Sequence, residues 1–371
     1  MCFTVKLITS SLLPTPPPPS MAVSGARQRF THFLSEAQRC RSRPRPPVPA
    51  SQVPLLFREP YILSGYRPAG QAWSCYVLSL FQRHNESVNV WTHLLAAAAL
   101  LLRWGAEPPW PAGAPGAPGP PEQPLGLYVG SALCYLCCSV AAHLLQSRSE
   151  LAHYCLFFLD YVGVAVYQYG CALGHYFYGS EAAWRAGPPG PAFLPGAALL
   201  AWLSCAACCF AKSHWRRPYP PARRVCTLIP AGLAYLLICS PLLHRLGAAA
   251  GPWGPGLRLH AAHMALFLLS VLFFSCPVPE RFLPGRCDFL GQGHQVFHVL
   301  LALCSLTQLE ALLGDARRQG PGAGPGAFGE EEVLRGCLLL PLVAGCCLLT
   351  ALLAGRHKHR QLLAESGGGA G

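Results

Sequence analysis

Eight stretches of this chain are apolar enough, and long enough at about twenty residues each, to cross a bilayer as helices. They lie at approximately 88–104, 125–146, 152–177, 191–211, 225–244, 259–277, 293–313 and 333–355. Nothing else in the sequence restricts its fold as tightly. Only 12% of the 371 residues are charged, about half the share of a soluble domain, so there is too little polar surface to cover a globule of this length. The predicted class is an all-α integral membrane protein: seven spans within 88–314, a loop over 315–332, an eighth span over 333–355 and a tail over 356–371. Before the core, residues 1–54 read as a disordered basic tail and 55–87 as an interfacial segment. Residues 1–20 do not read as a convincing signal peptide, because their apolar stretch is broken and ends in Pro-Thr-Pro-Pro-Pro-Pro; Met21 offers a second start.

A net charge of +12 would suit nucleic acid if it were clustered on one soluble face, but its placement follows the spans. With the N-terminus cytoplasmic, 21 of the 28 Lys and Arg fall on the inner side and seven on the outer, the bias that orients helical membrane proteins. The expected partner is membrane lipid, with no nucleic acid. The inner loop with Lys212, Arg216, Arg217, Arg223 and Arg224 is the densest short basic segment, suited to anionic lipid or a protein partner. Trp73, Tyr76, Val77, Leu80 and Phe81 share one helical face before the first span, and with Arg67 and Arg83 they predict a helix lying on the inner leaflet. The nineteen cysteines include Cys134/Cys137 and Cys205/Cys208 at C-x-x-C spacing, but inside apolar runs, where a thiol is a small packing residue; a secreted disulfide scaffold is excluded.

Ionisable groups at membrane depth are costly and mark function. Span 2 ends with Ser139-x-x-x-His143, span 3 carries Asp160 two turns in, and span 7 begins with His294-x-x-x-His298. Span 1 begins with Glu86-x-x-Asn89-x-x-x-His93. The derived orientation puts all four in the inner half of one bilayer. Imidazoles at i and i+4 sit on one helix face and can share a metal; a third from span 2 makes the three-nitrogen set of an accessible zinc site, with Asp160 holding a water or orienting a histidine. Buried histidines also serve simply as partners for carbonyls or carboxylates, but convergence at one depth favours metal. Gln308 and Glu310, near the outer end of span 7, read as interfacial, and His175, Tyr176 and Tyr178 as an outer aromatic belt.

These motifs, in this order and spacing, resemble the progestin and adipoQ receptor family. So do the strings LFREPYI from Leu56, SGYRP from Ser64, HNESVNVWTHLLAA from His84, AHLLQSRSELAHY from Ala142, RRPYP from Arg216 and FFSCPVPE from Phe273, which point to its progestin branch. The resemblance covers roughly 54–315. It implies a seven-helix core with a cytoplasmic N-terminus plus an eighth helix, and one zinc ion on His143, His294 and His298 with Asp160 bound through water. Glu86, Asn89 and His93 then stand as motif residues of structural role. It further implies a plasma-membrane receptor for a progestin, signalling rapidly through inhibitory heterotrimeric G proteins. The steroid contacts remain unassigned by the sequence. The alternative is a zinc-dependent lipid-amide hydrolase of ceramidase type, in which Asp160 and Ser139 would be catalytic.

Overall fold

The structure, a computed structural model, describes residues 43–106, 122–318 and 328–368. The expected basic tail up to residue 42 and most of the two Gly/Pro-rich connectors lie outside the described residues. Ten α-helices occur among those described: α1 Trp73–Leu78, α2 Ser87–Ala106, α3 Gln123–Leu145, α4 Glu150–Gly174, α5 Ala182–Ala186, α6 Pro189–His214, α7 Pro221–Ala248, α8 Pro255–Ser275, α9 Gly293–Arg318 and α10 Glu330–Gly368. Eight are long, and they correspond one to one with the eight predicted spans. Seven, α3 to α10 without the short α5, are both long and apolar enough to cross a membrane. The twenty-residue α2 is more polar because Asn89 and His93 point into the protein, where both are buried.

Apolar residues outside explain why this chain needs lipid. Leu102, Leu199, Leu236, Leu268 and Leu352 are all more than half exposed on the long helices, which water would penalise by roughly 25 cal/mol per Å². The inside is packed tightly, with α3 along α4, α8 along α9, and α10 against α4 and α6. Small residues allow the α3–α4 approach: a Cβ added at Gly163 would stand 2.9 Å from both the Tyr135 Cα and the Cys138 Cβ, and one at Gly170 would overlap the Ser131 side chain. No disulfide joins any two of the seventeen described cysteines, in keeping with their reading as packing residues.

One end of the bundle is closed by a strap of residues 45–86. It has little regular structure beyond α1, one antiparallel bridge between Val48 and Tyr66, and three single 3₁₀ turns. A small core of Val53, Phe57, Ile62 and Tyr66 holds it together. The strap therefore starts before the expected boundary at residue 54, because Val48 pairs with Tyr66 and Val53 is buried. Gly65 makes its sharp turn with a φ of +85°, and a Cβ there would press on Phe289. Asp288, from the loop between α8 and α9, accepts from the Leu63 amide at 2.8 Å and the Ser64 hydroxyl at 2.6 Å.

Several expectations about the ends of spans change. Helix α9 runs three residues past 315, with Asp315 buried, so the outer loop starts later. Helix α10 continues well beyond 355, where Lys358 is buried and donates to the Ser213 carbonyl at 3.0 Å. His175, Tyr176 and Tyr178 form no belt at a lipid surface. A π-helical turn, His175–Gly179, carries α4 onward and turns all three rings inward. Gln308 is likewise an interior residue, whereas Glu310 is partly exposed and pairs with Arg103. Tyr76 of the predicted interfacial face points into the protein and donates to the Ser147 carbonyl at 2.9 Å, while Trp73, Val77 and Phe81 stay exposed.

Candidate metal centre

Two helix ends meet beneath the strap. Helix α3 delivers His143 in its last turn and α9 delivers His294 and His298 in its first two, so that one nitrogen from each imidazole lies within 4.8 Å of the others. The Nε2 atoms of His294 and His298 face each other at 3.2 Å. Two nitrogens on one tetrahedral zinc, at 2.0–2.1 Å from it, stand about 3.3 Å apart, so the donor set and its spacing fit such an ion. Phe157 meets the His143 ring at 5.7 Å and Phe297 stacks on His294 at 5.4 Å, which surrounds the imidazoles with apolar walls.

His143 is aimed from behind. Its Nδ1 donates to the Glu86 carboxylate at 2.7 Å, leaving Nε2 to face the cluster. The same carboxylate accepts from the Asn89 amide at 2.6 Å and the Gln146 amide at 3.0 Å. Burial alone would push the Glu86 carboxyl up; the His143 ring and the hydrogen bonds from His143 and Asn89 outweigh that and hold it well below the usual carboxylate range. Arg67 of the strap caps the end of α3, donating to the His143 carbonyl at 2.6 Å and to the Leu144 carbonyl. It is buried, rather than lying on a membrane surface as predicted, because those C-terminal carbonyls need donors; burial brings its guanidinium down to about 10.

The other motif residues fall around this cluster in unequal ways. His93 stacks on His298 with ring centres 4.2 Å apart, and neither of its nitrogens has a hydrogen-bond partner among the described residues. Ser139 is buried one turn before His143. Asp160 lies within electrostatic reach of His143 and Lys212 but makes no hydrogen bond or ion pair among the described residues. The histidine-orienting part, offered to Asp160 as one option, is taken by Glu86, which the sequence marked only as a motif residue. Lys212, expected on a basic surface, is buried: its Nζ meets His153 Nε2 at 2.8 Å and lies 4.1 Å from the Phe157 ring centre. Arg217 and Arg216 of the same predicted patch pair with Glu59 of the strap and Glu365 of α10.

A file of polar side chains leads away from the cluster along α9. The Tyr135 ring lies against His93 and its hydroxyl meets the Ser305 hydroxyl at 2.7 Å. Tyr167 donates to both Ser305 and Gln308, at 3.1 and 2.8 Å, and Gln308 reaches His175 at 2.7 Å. His294, His298, Ser305, Gln308 and Asp315 occupy one side of α9 along roughly 30 Å, so a polar stripe follows this helix from end to end. The sequence signal was there in those spacings, but it was read only at its first two members.

Comparison with known proteins converges on one group. The family profile described as "Haemolysin-III related" matches residues 81–309. "Membrane progestin receptor beta" of Mus musculus is 49% identical over 326 residues, which cover 85% of this chain and 88% of that protein. The Sus scrofa protein of the same name is 52% identical over 275 residues, 72% of this chain and 75% of its own length. "Membrane progestin receptor alpha" of Homo sapiens is 42% identical over 355 residues, 90% of this chain and 97% of that protein. The progestin branch indicated by the strings from Leu56 to Phe273 is the one in which these relatives stand.

Proposed function

Since the chain belongs to the haemolysin-III related family, which includes the progestin and adipoQ receptors, we propose that it is a membrane receptor for a progestin-type steroid. The observation that carries this reading is its similarity, close to half of all aligned positions, to proteins named membrane progestin receptor beta. The bundle interior has the chemistry such a ligand needs. A steroid is a flat apolar body with few oxygens, and it is held by apolar walls with a small number of placed donors; Tyr128, Tyr135 and Tyr167 are buried in the apolar core, with their hydroxyls on Ser305 and Gln308. The test is saturable binding of radiolabelled progesterone to membranes of cells expressing the chain, competed by unlabelled progestin. No specific binding over empty-vector membranes would overturn it.

The finer parts of the reading rest on different supports. Residues His143, His294 and His298 would hold one zinc ion, His143 through Nε2, with Asp160 joined through water. Zinc there would supply Lewis acidity toward a carbonyl oxygen or a water. The chain's own contribution is then to orient His143 through Glu86, to keep the cluster among phenylalanines, and to brace the α3 terminus with Arg67. The distribution of Lys and Arg supports cytoplasmic N- and C-termini, and the receptor reading supports the plasma membrane. Coupling to an inhibitory G protein would use the cytoplasmic end, where Arg223 and Arg224 follow the α6–α7 turn. Glycosylation sequons inserted separately within residues 107–121 and 215–220 test the orientation. A glycan on the first and none on the second is expected; the reverse pattern refutes it. The natural sequon at Asn85 does not discriminate, because Asn85 is buried and its main chain is bonded to Gly65, Gln292 and Gln295.

A further inference from the structure

A second imidazole cluster lies toward the other end of the bundle. His175 follows α4, and His260 and His263 lie one turn apart on α8; all three are buried, and one nitrogen of each lies within 4.8 Å of the others. Their outward-facing nitrogens are tied down. His175 Nδ1 donates to the Ile238 carbonyl at 2.8 Å, and His260 Nε2 donates to the Asp315 carboxylate at 2.7 Å. Those bonds fix the tautomers and leave the lone pairs of His175 Nε2 and His260 Nδ1 on the other side of each ring. His260 Nδ1 faces His263 Nε2 at 3.2 Å, the same separation as between His294 and His298. A backbone carbonyl and a carboxylate behind the rings are what metal-bound histidines characteristically have.

From these contacts we propose a second metal site, formed by His175, His260 and His263, that takes a divalent transition ion such as zinc. Three neutral imidazole nitrogens suit zinc among the common ions and do not suit magnesium or calcium, which take oxygen. Gln308 is the gate of the site. Its oxygen accepts from Tyr167 and Tyr128, so its amide N–H is the group on His175 Nε2, and the ion replaces that single hydrogen bond. Asp315 backs His260 while Arg245 grips its two oxygens at 2.7 and 3.1 Å, which fixes the carboxylate in place. The site lies ten residues or more along α9 from His298, about 15 Å away, so the two clusters do not share ligands.

Metal stoichiometry tests the proposal on the full-length chain in detergent, stripped with chelator, reloaded with zinc and washed, with cobalt titration followed by its visible absorption as a second readout. Wild type should hold two ions, and His263→Ala and His298→Ala one each, at different sites. A His298→Ala variant that holds no ion overturns the outer site, and so does a His263→Ala variant that holds as much as wild type. Should His263→Ala fail to fold, the His298→Ala result alone decides. One ion in wild type that persists in His298→Ala and is lost in His263→Ala would uphold the outer site while overturning zinc at His143, His294 and His298.

Discussion

Glu86 is the residue whose replacement should show most directly how the candidate centre is built. Three donors converge on its two oxygens: His143 and Asn89 on Oε2, Gln146 on Oε1. In Glu86→Gln one oxygen becomes an NH2 group. If the remaining oxygen keeps the Oε2 place, Gln146 can rotate its amide to present an acceptor, and every hydrogen bond survives in neutral form. The loss is then the difference between a charged and a neutral acceptor, about 1–2 kcal/mol. Glu86→Ala leaves all three donors in a buried space without an acceptor, and removing one partner of a buried pair costs about 3–5 kcal/mol. Zinc affinity should follow, falling roughly 10- to 100-fold for loss of a group behind a ligating histidine. Thermal unfolding in detergent and competition for zinc against a chelator of known affinity measure the two effects. The expected order is wild type, then Gln, then Ala in both. A Glu86→Ala protein that melts with wild type and binds zinc as tightly would refute the claim that Glu86 orients His143.

Three other tests probe different parts of the fold. His84, in the strap, is held neutral by burial and by the neighbouring charge of Arg67, which bring its folded value down to about 3; the unfolded chain takes up the proton near pH 6.5 and the folded one does not, so stability should fall by about 1.4 kcal/mol per pH unit below that point, and His84→Gln should flatten melting temperature against pH over this range. Gly163→Ala forces a methyl onto Tyr135 and Cys138 and should cost about 1–3 kcal/mol, read as a lower melting temperature, whereas Gly126→Ala, with open space around it, should not. Asp160→Asn should keep most of the zinc and keep progesterone binding, measured on one preparation; loss of both together would make Asp160 a direct part of the site.

The apolar runs made the helices legible because a lipid-facing segment can hardly hide its composition, and the i, i+4 histidines of α9 were legible because both lie on one element. Other contacts required knowledge of the tertiary path. Glu86 and His143 are 57 residues apart and meet only because the start of α2 and the end of α3 lie under the same strap. The misread residues share one cause. Gln308, His175 and Lys212 stand near the ends of apolar runs, where hydropathy implies an interface, yet the π-helical turn after α4 and the end of α9 extend past those runs and α6 turns Lys212 toward His153. A polar residue near a span's end faces lipid headgroups or the protein interior according to helix rotation, which hydropathy along the chain does not encode.

The strap also fixes an order of assembly. Leu63 and Ser64 leave the ribosome early, but Asp288, which receives their hydrogen bonds, lies 225 and 224 residues later. Arg67 must likewise wait for the end of α3, 76 residues on, before it finds the His143 carbonyl. The first described segment to be made is thus among the last to reach its native partners, and contacts so distant in sequence form slowly. Until the α8–α9 loop has been made, Leu63 and Ser64 lack Asp288, although Arg67 and Tyr76 already have the end of α3 and Ser147 to bury against. Truncation before Asp288 should therefore expose the strap to protease even when six helices have inserted, which makes this end of the molecule the step at which quality control can distinguish a finished chain from an incomplete one.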